Sequence, residues 1–151
     1  VRDKDGVDGA YMICEMFSYY ATRGISLLDK LDELYKTYGY CLNTLHSYEF
    51  DGSAGFRKMQ ALMASFRTDV TVGTILGGKK VQKVLDYSAG LDGLPKADVL
   101  KYLLGGNCSV VVRPSGTEPK LKTYISVCAS TREEAQTLEA AISRQLDGLL
   151  R

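Results

Sequence analysis

The stretch VVVRPSGTEPKLKTYISV, residues 110–127, contains two runs of strand-forming residues separated by a short loop. The first run ends at Arg113, and the second begins at Lys120. Pro114 and Pro119 lie in the connection, where each fixes its own φ angle and removes one backbone donor. The pattern therefore predicts two strands of a sheet joined by a rigid turn.

The segments around this pair predict an α+β fold, with helices packed on one face of a mainly antiparallel sheet. Apolar residues at helical spacing predict helices from Val7 to Thr22, Leu27 to Tyr38, Gly52 to Phe66 and Thr131 to Leu149. Strand-forming runs occupy residues 40–50, 70–83, 84–87, 99–104, 109–113 and 120–128. Capping boxes are expected at Ser26 with Asp29 and at Thr131 with Glu134. The first two helices are expected to form a pair with its own buried face.

Composition limits the classes of function that the chain can have. It has 151 residues, with 19 basic and 18 acidic side chains and a formal net charge of +1. This balance provides no broad basic field for nucleic acid, so a charged ligand must be held at a local site. No apolar stretch suggests a membrane span and no signal-peptide pattern opens the chain, which favours the cytoplasm.

The four cysteines do not have the spacing of a metal site. Cys14, Cys41, Cys108 and Cys128 are far apart in the sequence, and none belongs to a C-x-x-C motif. We therefore expect no metal ligands in this chain, and thiols that are reduced and mostly buried.

The segment GTILGGKK, residues 73–80, resembles a nucleotide-binding P-loop but differs from it at its last position. Lys80 stands where the motif requires Ser or Thr for magnesium. The residues that follow, VQKVLDY, predict a strand and not the helix that a P-loop needs. The segment is therefore interpreted as a glycine hairpin.

The loop RPSGTEPKLK, residues 113–122, carries the groups that phosphate requires. Arg113 offers a planar set of donors, Ser115 and Thr117 add hydroxyls, and Gly116 allows a turn that can direct amide hydrogens into one concavity. Lys122 lies just inside the second strand, and alternation directs it away from the buried face. A rigid β-turn whose charges face water remains the alternative.

The motif RPSGTEPKLKTY resembles the phosphate-binding loop in the C-terminal domain of the α-D-phosphohexomutases, the phosphoglucomutase and phosphomannomutase superfamily. The resemblance extends through KVLDYSAG at 83–90, LPKADVLKYLL at 94–104 and the segment from residue 3 to residue 40. It implies that residues 1–38 are a helical C-terminal tail of the third domain of a four-domain enzyme. Residues 39–151 would then be the fourth, substrate-phosphate-binding domain.

The resemblance also implies an activity, which passes a phosphoryl group between C1 and C6 of a hexose through a phosphoserine and a bisphosphorylated intermediate. Arg113, Ser115, Gly116, Thr117 and Lys122 would grip the nonreacting phosphate. A lysine in the segment DKDG, Lys4, resembles an active-site lysine that assists proton transfer, with a solvated residue before a helix as the alternative.

The catalytic serine loop and the acidic metal loop of the family have no counterpart in this sequence. The chain alone is therefore expected to be inactive and to bind no cofactor. The implied partners are a hexose phosphate and the N-terminal domains of the same enzyme, and Mg²⁺ and glucose 1,6-bisphosphate are implied for the whole enzyme. The alternative is a stand-alone anion-binding or protein-interaction module that uses the same loop.

Overall fold

A computed structural model describes residues 4–116 and 118–150. The chain divides into two units, of which the first ends at Gly39 and the second begins at Tyr40. The helices are α1 (Gly6–Ala21), α2 (Leu27–Tyr38), α3 (Gly52–Asp69) and α4 (Arg132–Leu150). The strands are β1 (Tyr40–Glu49), β2 (Ile75–Leu76), β3 (Lys79–Asp86), β4 (Leu100–Leu104), β5 (Cys108–Pro114) and β6 (Lys120–Ala129). Within the described residues, no helix has the length and apolar character needed to cross a membrane.

The first unit consists of α1 and α2, and both helices begin at a side-chain cap. The carboxylate of Asp5 accepts hydrogen bonds from the amides of Val7 and Asp8 at the start of α1. At the start of α2, Ser26 and Asp29 form the capping box that the sequence predicts. Local hydrogen bonding therefore sets where these helices begin.

The expectation that α1 and α2 share a buried face is wrong. Neither helix contains a buried residue. A contact between them lies at the surface, where the Lys30 ammonium of α2 is 5.7 Å from the centroid of the Tyr20 ring of α1. The large exposed apolar side chains of the two helices are Val7, Tyr11, Met12, Ile13, Met16, Phe17, Tyr19, Leu28, Leu31, Leu34 and Tyr38. Two short helices do not have enough surface to enclose a core of their own.

The second unit is an antiparallel sheet with α3 and α4 on one face, which confirms the predicted α+β class. The six strands are ordered β1-β6-β5-β4-β3-β2, and every pairing is antiparallel. Buried side chains of both helices, among them Met63 and Ile142, join the same core cluster as Leu121 and Ile125 of β6. Residues on the other face of β6, such as Lys122, remain partly exposed, as period-two alternation predicts.

The segment that resembles a P-loop is a β-hairpin, as the sequence analysis predicts. Strands β2 and β3 pair directly around Gly77 and Gly78, which have φ angles of +55° and +84°. The predicted break between residues 83 and 84 is wrong, because β3 is continuous and accommodates a register shift between Val81 and Lys83. A β-bulge of this kind interrupts the alternation of the sequence without ending the strand.

The cysteines are free, but the expectation that most of them are buried is wrong. Cys14 and Cys41 are exposed, Cys128 is partly exposed, and Cys108 is buried. Cys41 is exposed because it lies on the outer face of the edge strand β1. Among the described residues, no group of His, Cys, Asp and Glu side chains is arranged to hold a metal ion.

Candidate phosphate-binding site

The loop between β5 and β6 is held in place by backbone hydrogen bonds at both sides. The Ser115 amide donates to the carbonyl oxygen of Lys120 at 2.7 Å, which closes the turn. The Phe50 amide donates to the carbonyl oxygen of Pro119 at 2.9 Å, which ties the loop to the connection between β1 and α3. The loop is therefore positioned by three strands of the sheet before any ligand arrives.

Two cations face each other where β5 and β6 enter this loop. Arg113 is directly opposite Lys122 in the strand register, and Lys122 is in turn opposite Ser47 of β1. Their positions in the alternation place both cations on the face of the sheet away from the helices. Within residues 4–116 and 118–150, neither cation forms an ion pair. Like charges opposite each other on neighbouring strands are destabilising, so this pair favours an anion.

A third cation, Lys120, neutralises the acidic residue of the loop. Its ammonium lies 3.0 Å from a carboxylate oxygen of Glu49 and 3.4 Å from one of Glu118. These contacts raise the pKa of Lys120, mainly through the hydrogen bond to Glu49 and then through that to Glu118. Because Lys120 stays protonated and paired, the Glu118 carboxylate repels an incoming anion less than it would alone.

A cleft of about 540 Å³ separates the loop from the first turns of α3. Its lining residues are Gly52, Ser53, Phe56, Arg57, Ser115, Gly116, Glu118 and Pro119. The N-cap residue of α3, Asp51, makes no side-chain hydrogen bond to the helix. Since Gly52 and Ser53 line the cleft, the positive end of the helix dipole and its first amide groups lie beside the loop, an arrangement that suits a phosphate.

Gly55 lets α3 approach the end of β1 closely enough to form this cleft. A Cβ atom at position 55 would lie 2.6 Å from the carbonyl carbon of Phe50. Phe50 is the residue whose amide binds the loop at Pro119. The same short segment thus positions both walls of the cleft.

The predicted site residues are only partly brought together. Ser115 and Gly116 line the cleft, whereas Arg113 and Lys122 are opposed at the strand ends beside it. Thr117 lies outside the described residues.

Gly116 has neither a positive φ angle nor a neighbour within 4 Å of an added Cβ. The space beside Gly116 is therefore open to a ligand that approaches the loop. The amide of Ser115 is used to close the turn, so the hydroxyl is the group that Ser115 can offer to an anion.

Lys4 is exposed and belongs to the first unit. It precedes the N-cap of α1, and its proposed catalytic role stays a prediction.

Sequence reasoning missed Ser53 and Arg57, which line the cleft from α3. The sequence alone does not distinguish Arg57 from any other charged side chain of a helix. The available signal was the glycine-rich start of that helix, GSAGFR at 52–57, but nothing in the sequence relates it to a loop some sixty residues later. The relation depends on the pairing of β1 with β6.

The fold, the cleft and the two cations at the strand ends beside it define the chain as an α+β domain with a candidate anion site, preceded in the sequence by a separate helical unit. The family model described as phosphoglucomutase/phosphomannomutase, C-terminal domain, matches residues 68–145. The chain belongs to this family.

Similar proteins match the chain over nearly its whole length. A phosphoglucomutase of Staphylococcus aureus is 34% identical over 94% of this chain and 27% of its own length. A glucose 1,6-bisphosphate synthase of Mus musculus is 27% identical over 99% of this chain and 26% of its own length. The chain thus spans about a quarter of the length of these relatives.

A similar fold occurs in the crystal structure of pp63/parafusin from Paramecium, in its open form, which is described as a phosphoglucomutase. The TM-score is 0.62 at 18% identity, and the match covers 99% of this chain and 27% of that chain.

Proposed function

We propose that this chain is the C-terminal part of a phosphoglucomutase or phosphomannomutase and that its second unit holds the nonreacting phosphate of a hexose phosphate. The observation that carries the proposal is the opposed pair of Arg113 and Lys122, which bounds the loop without a described counterion. A phosphate dianion relieves the repulsion between the two cations and gains charge-assisted hydrogen bonds.

The start of α3, which forms the other wall of the cleft, adds groups that can bind the phosphate. Arg57 projects from α3, on the helical side of the sheet, whereas Arg113 is on the opposite side. The Ser53 and Ser115 hydroxyls add donors that can rotate to suit an oxygen. The proposed role of the cleft is therefore to surround a phosphate from the loop and from the helix terminus together.

Such a site suits a reaction in which a sugar phosphate binds in two orientations. In the proposed reaction a phosphoryl group moves between C1 and C6 of the hexose through a phosphoserine and a bisphosphorylated intermediate. A rigid loop recognises the other phosphate by charge and hydrogen bonds, whichever sugar face is presented. The binding energy of this remote phosphate aligns the reacting end.

The remaining chemistry is proposed to belong to parts of the enzyme outside this chain. The phosphoserine and its Mg²⁺ would be supplied there, because the described residues contain no cluster arranged to hold a metal ion. Residues 1–38 are proposed to be the tail of the third domain, with Lys4 in its active-site segment, and residues 39–151 the fourth domain.

Inorganic phosphate should bind weakly to the chain, with a Kd on the order of millimolar, because a few charge-assisted bonds in an open cleft gain little over hydration. In NMR titrations we expect the amides of residues 113–116, 118 and 120–122 to shift, together with those of Gly52 and Ser53. Arg57→Gln should weaken binding severalfold. Lys58→Gln is the matched control, because Lys58 is the next residue of α3 and does not line the cleft.

A titration that moves no amide in the loop would contradict the proposed phosphate site. Equal weakening by Arg57→Gln and Lys58→Gln would show a general charge effect and not a contact. A stand-alone anion-binding module would also bind phosphate, and only the kinetics of the longer enzyme distinguish it from a mutase domain.

The apolar surface of α1 and α2 should make the isolated chain self-associate, since we propose that the rest of the enzyme covers it. We expect the mean mass from light scattering to rise with concentration and Phe17→Lys to reduce the rise. Phe17 is 58% exposed, and Leu94 of the second unit, 56% exposed, provides the control Leu94→Lys. A monodisperse monomer over a wide concentration range would count against this proposal.

A further inference from the structure

Three of the four cysteines gather where β6 ends, far from the phosphate loop. Cys41 of β1 and Cys128 of β6 are directly opposite in the strand register, and their Sγ atoms are 2.7 Å apart. The Cys108 Sγ accepts the amide hydrogen of Cys128 at 3.4 Å. Since Cys128 is eight residues beyond Lys120, this cluster lies roughly 25 Å along β6 from the loop.

We propose that Cys41 and Cys128 are a reversible oxidation site, at which the two thiols form a disulfide that fastens the edge strand β1 to β6. Opposed residues of antiparallel strands have Cα atoms about 4.5–5.5 Å apart, which lies within the range that a disulfide spans. The side chains lie on the same outer face of the sheet and already touch. No backbone rearrangement is therefore needed to join them.

The two thiols differ in access, which assigns them different roles. Cys41 is exposed and Cys128 only partly so. The pKa of Cys128 is raised to about 11, first by its hydrogen bond with Cys41 and then by burial. Cys128 therefore remains a thiol at neutral pH, and Cys41 is the sulfur that a dissolved oxidant reaches.

The oxidant of the proposed step is a peroxide, and hydrogen peroxide is the simplest of this class. The Cys41 sulfur attacks one peroxide oxygen, the O–O bond breaks, and a sulfenic acid forms on Cys41 while the departing hydroxide takes the Cys41 proton and leaves as water. The Cys128 sulfur then attacks the Cys41 sulfur and gives its proton to the departing hydroxide, so the S–O bond breaks and a second water leaves. The thiols lose two electrons and the peroxide is reduced to two waters, so the step balances.

The bond would join residues 87 positions apart and close a loop that contains most of the second unit. Strand β1 lies at the sheet edge, and Cys41 is the second residue of that unit. Oxidation would thus secure the strand that follows the junction with the first unit. A disulfide that closes a long loop stabilises chiefly by restricting the unfolded chain.

To test this proposal, the full chain is oxidised with hydrogen peroxide at low protein concentration, and the remaining thiols are blocked with N-ethylmaleimide. The disulfide-linked peptides are then mapped without reduction. We expect one intramolecular link, between Cys41 and Cys128, that dithiothreitol reverses. The melting temperature should rise by about 10 °C on oxidation and fall again on reduction.

Two variants show whether the link and the rise in melting temperature depend on this cysteine pair. Cys41→Ser should abolish both the link and the rise in melting temperature, whereas Cys14→Ser, at the exposed cysteine of α1, should leave both unchanged. The proposal is overturned if Cys41 and Cys128 remain separately alkylated after oxidation. A link to Cys14 or Cys108, or between two chains, in place of this pair would overturn it equally.

Discussion

Replacing Arg113 with alanine in the longer enzyme is expected to lower kcat/KM roughly ten- to a hundredfold while the fold survives. The substitution removes the proposed charge-assisted hydrogen bonds to the nonreacting phosphate, which would be worth about 1.5–3 kcal/mol. The fold should persist because Arg113 is exposed and forms no ion pair within the described part of the chain. The measurement is a steady-state assay of hexose phosphate interconversion, together with the melting temperature of each variant.

The way in which this loss divides between KM and kcat tests the proposed role of Arg113. The proposed phosphate contact would exist in both the ground state and the transition state, so much of the loss should appear in KM. A smaller decrease in kcat is expected because a loosely held sugar is misaligned with the phosphoserine. In the proposed mechanism, phosphorylation of that serine by a bisphosphate activator should also slow, since Arg113 would hold the far phosphate of the activator in the same way.

Lys83→Ala is the control for a general loss of positive charge. Lys83 is also an exposed cation, but it lies on β3, away from the loop. Its removal should leave kcat/KM within twofold of the parent. If Arg113→Ala also stayed within twofold while thermal stability fell sharply, Arg113 would be structural, and the assignment of the loop to phosphate binding would be wrong.

Most of the fold could be predicted because its signals are local. The capping box of Ser26 and Asp29 and the alternation along β6 are readable within a few residues, and both are present. The predicted buried face of α1 and α2 failed for a different reason. An apolar stripe indicates which side of a helix avoids water, but it does not indicate what will cover that side.

The residues of the candidate site also fall into two groups: those that one short motif contains, and those that only the strand pairing brings near it. Arg113, Ser115 and Lys122 stand out because one short motif contains them all. Arg57 reaches the cleft only because β1 pairs with β6 and α3 follows β1 directly. Cys41 and Cys128 likewise become neighbours through this register, so their contact could not be predicted from their spacing in the sequence.

Gly77→Ala is expected to lower the free energy of unfolding of the second unit by about 3 kcal/mol. Gly77 has a φ angle of +55°, which costs any other residue roughly 1 kcal/mol or more. An added Cβ would also meet the buried side chain of Ile142 and lie 2.8 Å from its backbone nitrogen. Neither α4 nor the hairpin can move away easily, because Gln145 hydrogen-bonds to the Gly77 amide and to the Ile75 carbonyl oxygen. Overpacking of this kind adds about 1–3 kcal/mol.

Gly78→Ala separates the two causes, because Gly78 has the same backbone requirement without the crowding. Its φ angle is +84°, and nothing lies within 4 Å of an added Cβ. Urea denaturation followed by circular dichroism should therefore give a loss of only about 1 kcal/mol for this variant. Losses of equal size would mean that left-handed backbone geometry alone requires glycine at position 77. A larger loss for Gly77→Ala would instead show that glycine is required here because the hairpin packs closely against α4. That requirement comes from packing, and not from nucleotide binding as in a P-loop.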